Sequence, residues 1–568
     1  MKAWNRLKSK ADLYYLIVLV PLTLYLAFYG LNNSSFWDDE AYVAVIAKNF
    51  LRTGELTGWD GRNLFSYRNG ALLNADLHVI NPPADCLLAA AAFKIFGIST
   101  WAGRLPFVFF GLGALWIFWL LLKEDYPGCK TVWLYALTLT CLSYSFLLNI
   151  RQCRYYALVI FFGLASYYFY KKCLREKKVC WFVLLAGALV CLFFSNYMLC
   201  AAFMGSMLLV HLIFYRHIFS RRDWLKMGLA ALLFLALTTP YAFWLRLWER
   251  RDIDPALQSP PLIKTAVLFY QNLRELDLIG YLPSVLVVAG IVLLIVYRKK
   301  SCCPPALYEW LALIFGYTFF LSFLSIQPAV WRGWAGGLAD IRYLNILLPF
   351  CAGCMAVVLS VIHQIKFGKI LGFVLLLLLL CTNLLSLKIV QPEMRWLIPA
   401  YWQEINTDFD SPYDAAVEFL QRAAIPDDIV YAIPEYALGP LQFYLGDRLK
   451  MQGTLRHNVH FSQKALARIN APIFLSDTYP HWIISFGLSQ ATRQMLYYFS
   501  RGKYAYGCNT SFTACSYSRR LDVFHQDRTR PELPWHSFGP VTSFDVGTQA
   551  IYIFQRQEKT RLTIKTIN

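Results

Sequence analysis

Apolar runs long enough to cross a hydrocarbon core about 30 Å thick recur along this chain. They fall at 12–31, 103–122, 131–149, 153–170, 179–194, 197–215, 224–247, 279–297, 305–326, 343–362 and 367–388, which predicts about eleven spanning helices. The pair at 179–215 is divided only by "FFSNYM", which must serve as a complete turn. Basic residues gather in "MKAWNRLKSK", "KKCLREKKVC", "RHIFSRRDWLK", "YRKKS" and "KFGK". With eleven spans all of these lie on one side, as the Lys and Arg of cytoplasmic loops should; with ten, the loops after residue 215 change sides and the rule breaks. The N-terminus is then cytoplasmic, and residues 32–102, 248–278, 327–342 and 389–568 lie outside. The first apolar run is too long for a signal peptide and has no small-residue cleavage site, so it reads as a retained anchor.

A different periodicity occupies the first outer loop. Val43, Ile46, Ala47, Phe50 and Leu51 follow the i, i+3, i+4, i+7, i+8 stripe of an amphipathic helix, whose expected bed is the membrane interface. A second helix is expected in "NPPADCLLAAAAFKIFG", with Pro83 suited to its first turn and Gly97 to its end. Polar residues such as Asn74, Asp76 and His78 stand between the two. Beyond residue 390 helical stretches ("SPYDAAVEFLQRA", "LSQATRQMLYYFSRG") alternate with strand-like runs ("DDIVYAI", "HWIISF", "QAIYIFQ"). The fold class expected is a polytopic α-helical membrane protein with a long outer loop of interfacial helices and a C-terminal soluble α/β or α+β domain. Its divisions would be a transmembrane part over 1–390 and an outer domain over 391–568.

Composition agrees: of 568 residues 57% are hydrophobic and only 16% charged, too apolar for a soluble enzyme of this length. The net charge of +19 does not indicate nucleic acid, because the basic residues sit in gaps between apolar runs instead of on one face. Most of the 15 cysteines fall in spans or cytoplasmic loops, where they act as small apolar residues. Cys508 and Cys515 share the outer domain in "YGCNTSFTACSY"; a polar turn between aromatic stretches would fold them together, which predicts a disulfide in an oxidising compartment.

The candidate chemistry lies in "SSFWDDEAYV". Ser34, Ser35, Asp38 and Asp39 offer N-caps for the first amphipathic helix, but capping employs one side chain, and three consecutive carboxylates, Asp38, Asp39 and Glu40, repel one another unless offset by cations or donors. Arg154 and Arg342 stand at the outer ends of the fourth and tenth spans. An Arg there either snorkels to the interface or faces a cavity, and two facing one cavity suit a phosphate. His457 and His460 have the spacing of a metal pair but no Cys or carboxylate partners nearby, so a solvated loop is the better reading. A divalent metal at the three carboxylates is conceivable on charge grounds, yet no further ligands are evident; no metal and no cofactor is expected to be required.

The order of these features resembles the polyprenyl-phosphate-sugar-dependent glycosyltransferases of the GT-C class, in particular the bacterial branch related to protein O-mannosyltransferases and lipid A aminoarabinose transferases. Asp39 and Glu40 in "WDDEAY" match the acidic pair of that family's first loop. "INPPADCLLAAAAFKIFGISTWAGRLP" is similar to its Pro-Pro helix followed by Gly and Arg-Leu-Pro, here Arg104, Leu105 and Pro106. "QCRYYAL" resembles its Arg-x-Tyr start of the fourth span, with Arg154 and Tyr156; "SNYML" resembles its polar-Tyr turn; and "IRYLNILLPF" resembles its late Arg-Tyr motif, with Arg342 and Tyr343. Two positions depart from the pattern. Asn81 stands where His or Lys often precedes Pro-Pro, and Gln152 where a Glu commonly precedes the Arg.

The resemblance implies an inner-membrane enzyme of bacteria that transfers a sugar from a polyprenyl-phosphate donor, on the outer face, to a lipid, glycan or protein acceptor. Asp39 would be the base and Glu40 and Asp38 its helpers. Arg104, Arg154, Tyr156, Arg342, Tyr343 and His78 would contact substrate. Membrane lipids are the other expected partner. A transporter or lipid flippase is the rival reading, disfavoured because the polar constellation lies in outer loops and no pair of broken midplane helices is visible.

Overall fold

The computed structural model describes residues 10–65, 70, 72–245, 261–278, 282–283, 286–288, 290–292, 306–326, 341–382, 384–385, 397–406, 412–433, 437–453, 461–469, 479–486, 490–500, 504–515 and 548–558. Helices α1 (Lys10–Phe28), α4 (Thr100–Asp125), α5 (Lys130–Cys141), α6 (Tyr144–Ile150), α7 (Tyr156–Glu176), α8 (Val179–Ser195), α9 (Tyr197–Val210), α10 (Arg221–Trp244), α12 (Ala306–Ile326), α13 (Leu348–His363) and α14 (Gly368–Cys381) build the bundle, and α11 (Pro261–Leu278) packs on α12. Among the described residues, six helices are long and apolar enough to span a membrane, or seven if α5 and α6, bent by 55°, are one span, and α8 and α14 are shorter apolar helices. The chain is therefore a multi-pass membrane protein. Ten of the eleven apolar runs carry a helix, while the run at 279–297 lies largely outside the described residues.

The turn expected at "FFSNYM" is real: Asn196 ends α8 and its side chain accepts from the Leu199 N–H to cap α9. Dense packing closes the bundle interior. A Cβ on Gly353 of α13 would lie 1.9 Å from the ring of Trp310, which is itself fully buried and donates to Asp125 Oδ2 at 2.9 Å. At the bundle end remote from the first loop, Lys171 of α7 bridges Glu309 of α12 at 2.6 Å and Asp125 of α4 at 3.1 Å, so three helices share one buried ion cluster. Helix α10 is different: only 11% of its apolar window is buried by protein, which leaves the rest to lipid.

The first loop forms α2 (Asp38–Thr53) and α3 (Ala84–Phe96). Helix α3 follows Pro83, ends at Gly97 in the left-handed region, and leaves Leu87, Ile95 and Phe96 exposed, as an interfacial helix should. Helix α2 does not lie on the interface. Its stripe residues Val43, Ile46 and Ala47 are wholly buried, and it packs between α3 and α17 (Leu438–Leu445) of the C-terminal region. Its polar positions find partners there too: Lys48 donates to the Phe443 carbonyl at 2.8 Å and faces Asp447, so protein covers faces expected to meet lipid and water.

The C-terminal region contains α15 (Ile398–Ile405), α16 (Pro412–Ala423), α17, α18 (Gln463–Arg468) and α19 (Gln490–Phe499) and a five-stranded sheet. Its order is β2 (Lys450–Met451), β1 (Ile429–Ile433), β3 (Trp482–Phe486), β5 (Thr548–Glu558), β4 (Tyr504–Cys515). β1 pairs parallel with β2 and β3, and β5 pairs antiparallel with β3 and β4, an α/β arrangement with an antiparallel edge. The hairpin expected at Cys508 and Cys515 is absent. Residues 504–515 are one strand along β5, and seven residues of strand separate the two Cα atoms by about 23 Å, beyond disulfide reach. His457 and His460 lie outside the described residues.

Candidate active site

Asp39 and Glu40 occupy the first turn of α2, where the helix dipole favours negative charge. They are not caps. The N-cap is Trp37, without a side-chain cap hydrogen bond, and both carboxylates are at most 1% exposed. The Asp38 side chain lies outside the described residues. Buried carboxylates require partners, and successive positions on a helix point these two in different directions, to different arginines.

Asp39 faces the bundle. Its Oδ2 accepts from Arg342 Nη1 at 2.7 Å and lies 3.1 Å from Arg154 Nη2. Arg154 precedes α7, and Arg342 sits in a 3-10 turn at Ile341–Tyr343 before α13, so two guanidiniums from segments far apart in sequence converge on one oxygen. Tyr317 of α12 anchors that turn by donating to the Tyr343 carbonyl at 2.6 Å. The Arg342 guanidinium lies over the Tyr343 ring, the Arg154 guanidinium over Tyr155, and Tyr156 packs edge-on against Tyr155. Arg154 Nε has no hydrogen-bond partner among the described residues.

Glu40 faces the opposite way. Arg104 of α4 grips it as a fork, Nε to Oε1 at 2.9 Å and Nη2 to Oε2 at 2.6 Å, and the Cys153 N–H donates to Oε1 at 2.8 Å. The remaining Arg104 donors go to the carbonyls of Leu31, Ser34 and Ser35. All five N–H groups are thereby engaged, so Arg104, expected to contact substrate, instead holds Glu40 and the entry to α2 in place. A cleft opens beside this pair, lined also by Trp37, Arg151, Gln152 and Tyr401, into which Asp39 does not reach. Gln152 Oε1 has no partner among the described residues. His78 lies apart, its ring 5.2 Å from that of Trp244 at the end of α10.

Two groups went unrecognised in the sequence. Asp85, in the first turn of α3, is 4% exposed and lies within electrostatic reach of Arg154; burial pushes its carboxyl up to about 6, with the Arg154 charge and the Cys86 donors pulling it back. Tyr42 of α2 faces the same cluster, and burial raises its hydroxyl well above the ordinary range. An acid in a first helical turn reads in a sequence as a plain dipole complement, so Asp85 gave no separate signal. Among the described residues no group of three His, Cys, Asp or Glu is placed to hold a metal ion, and Asp39 and Glu40 are each met by guanidinium.

No family model matches the chain. A curated relative from Aquifex aeolicus (strain VF5), described as an uncharacterized protein, is 27% identical over 181 residues, 31% of this chain and 34% of that protein. The match thus spans about a third of that relative's length. Among solved structures, apo ArnT from Cupriavidus metallidurans is 13% identical and covers 86% of this chain and 95% of its own, with a TM-score of 0.47. The same protein bound to undecaprenyl phosphate is 12% identical and covers 95% and 98%, with a TM-score of 0.48. The S. cerevisiae protein O-mannosyltransferase Pmt1-Pmt2 complex bound to the sugar donor is 17% identical and covers 42% and 33%, at 0.32. These solved proteins are GT-C glycosyltransferases, the class that the sequence motifs resemble.

Proposed function

We propose that this chain is an integral-membrane glycosyltransferase that moves a sugar from a polyprenyl-phosphate donor to a hydroxyl or phosphate of an acceptor. The observation that carries the reading is the convergence of Arg154 and Arg342 on Asp39, in a loop between membrane segments. A guanidinium fork matches phosphate oxygens as well as it matches a carboxylate. An arriving lipid phosphate competes with Asp39 for both arginines, and as they turn to the phosphate the carboxylate loses its cations and becomes a stronger base. Donor binding therefore arms the base.

The acceptor oxygen then bonds to the anomeric carbon from the face opposite the phosphate, its proton passes to Asp39, and the bond from the anomeric carbon to the phosphate oxygen breaks. Its electron pair stays on the lipid phosphate, whose added negative charge Arg154 and Arg342 stabilise. One displacement inverts the anomeric centre. Glu40, fixed by Arg104 and the Cys153 N–H, keeps the first turn of α2 rigid, so Asp39 is aimed without freedom to swing. Tyr156 and Tyr343 frame the arginines. The orientation in this reading is that of a bacterial inner membrane, with the acid pair and the C-terminal region on the periplasmic side.

The test uses purified wild type and Asp39→Asn with a panel of polyprenyl-phosphate sugars. Transfer or release of sugar by wild type, lost in D39N that still unfolds cooperatively, supports the reading. Equal turnover by both proteins refutes Asp39 as base, and a product that retains the donor's anomeric configuration refutes the single displacement.

A further inference from the structure

The cleft beside Glu40 and Arg104 carries a demand for hydrogen bonding that the described residues leave unmet. Gln152 lines it and is 7% exposed, and its Oε1 has no partner among the described residues. A buried amide oxygen without a donor is costly, so a ligand that supplies one is favoured there. The arginines of the cleft are committed elsewhere. Arg104 directs its donors to Glu40 and to the carbonyls of Leu31, Ser34 and Ser35, and Arg151 donates to the Leu26 carbonyl at 2.9 Å, in the last turn of α1, where a cation suits the helix dipole. The walls are tied together across the chain: Tyr401 of α15 donates to the same Leu26 carbonyl at 2.7 Å, and Asn33 Nδ2 donates to the Ile405 carbonyl at 2.8 Å. The segment that carries Gln152 also serves the reaction centre. Along it Arg151 holds the end of α1, Gln152 lines the cleft, the Cys153 N–H holds Glu40 and Arg154 meets Asp39.

We infer that this cleft binds a neutral sugar unit of the acceptor, and that Gln152 determines its recognition by hydrogen bonding to a sugar hydroxyl. The inference rests on the glycosyltransferase reading above and narrows it, selecting a hydroxylated group over a phosphorylated one at this subsite. The amide makes that selection. A hydroxyl both donates and accepts, so it serves either end of the Gln152 amide, whereas an ionised phosphate offers acceptor oxygens, leaves Oε1 unpaired and meets the Glu40 carboxylate. The terminal torsion of a glutamine is soft, so the amide turns toward a ligand at small cost. In the same reading the donor phosphate belongs with Arg154 and Arg342, on the side of α2 to which Asp39 points. The transferred sugar is bonded to that phosphate, so a sugar site across the first turn of α2 belongs to the acceptor. Because Glu40 follows Asp39 directly, a sugar seated beside Glu40 lies next to the base.

The experiment titrates the full chain in detergent with a panel of neutral oligosaccharides, and with the same glycans bearing a phosphate monoester, and follows binding by saturation-transfer NMR. Wild type is expected to bind a neutral glycan more tightly than its phosphorylated form. Gln152→Met, close in shape and apolar, is expected to weaken that binding by a factor on the order of ten, the size of one net hydrogen bond, and to leave binding of polyprenyl phosphate unchanged. Its melting temperature should match or exceed that of wild type, because it removes an unpaired amide; a purely structural Gln152 predicts a lower one with unchanged glycan affinity. Leu148→Trp fills the cleft from α6 without altering the amide and should abolish glycan binding, which decides the matter if Q152M fails to fold. Glycan binding unchanged in either variant overturns the inference, as does a preference for phosphorylated glycans or a wild type that binds no neutral glycan. Displacement of the glycan by a polyprenyl-phosphate sugar, but not by polyprenyl phosphate alone, gives the cleft to the donor's own sugar and overturns the acceptor assignment. Each of these failures leaves the glycosyltransferase reading standing, because turnover of the donor sugar decides that reading separately.

Discussion

Removing the Arg104 side chain should damage the fold before it damages chemistry. Arg104→Ala leaves Glu40, 0% exposed, with a single donor among the described residues, the Cys153 N–H, and takes a donor from three carbonyls. Breaking a buried pair by deleting one partner costs about 3–5 kcal/mol, because the remaining charge stays desolvated. Arg104→Lys keeps the charge but loses the two-pronged grip and reaches fewer carbonyls, so a loss of about half that size is expected. The double variant Glu40→Leu with Arg104→Met removes both charges and should recover much of the stability without recovering activity, since a well-packed apolar pair replaces a buried ion pair at little net cost. A thiol-reactive dye that reports exposure of buried Cys86 and Cys153 during heating measures all three variants in detergent. R104A melting within 1 °C of wild type, or a double variant melting below R104A, would refute the view that Arg104 acts by satisfying Glu40.

Asn63→Ala should loosen the C-terminal region by about 2 kcal/mol: the buried amide donates to the Gly446 carbonyl at 2.8 Å and accepts from the Met451 N–H at 2.8 Å, and limited proteolysis after residue 446 would report the change. Gly353→Ala should lower the melting midpoint and the yield, because the new methyl carbon would sit 1.9 Å from the Trp310 ring; normal expression and stability would count against that close approach. Arg342→Lys should raise the donor KM more than it lowers folding stability, since the charge stays and the fork is lost, and an unchanged KM would remove Arg342 from the phosphate site. Stability should also fall as pH rises from about 4 to 6, because burial raises the Asp85 carboxyl from 3.8 to about 6 and its ionisation opposes the folded state; D85N should lose that part of the dependence in a pH series of thermal melts.

Spans were legible in the sequence because lipid imposes a length and a composition that no other role requires. Asp39, Glu40, Arg154 and Arg342 were legible because charges beside hydrocarbon are conspicuous. What they do for one another was not, because nothing local ties Arg342 to Asp39. Arg104 shows the limit: its place in a motif suggested substrate, whereas its five donors are consumed inside the protein. The interfacial bed assigned to α2 failed for a related reason. An apolar stripe states that a face is covered but not by what, and Lys48, Asn63 and Arg62 engage α17 and the loop after it through contacts almost 400 residues distant in sequence. Cys508 and Cys515 misled because a polar tract between aromatics fits an exposed edge strand as well as a turn.

The ion pair between Asp39 and Arg342 joins residues 303 apart, and this separation bears on biosynthesis. At the ordinary pace of about 5–20 residues per second, roughly 15–60 seconds pass between the emergence of the acid and that of its arginine. Throughout that interval the nascent first loop carries a carboxylate whose final counterion has not been made. The loop must wait in water or borrow Arg154, and a chain that stalls before residue 342 remains marked by an open acidic turn. Closure of the cluster around Asp39 thus waits for the turn at Ile341–Tyr343 ahead of α13, a built-in checkpoint that an assembly factor or a protease could read.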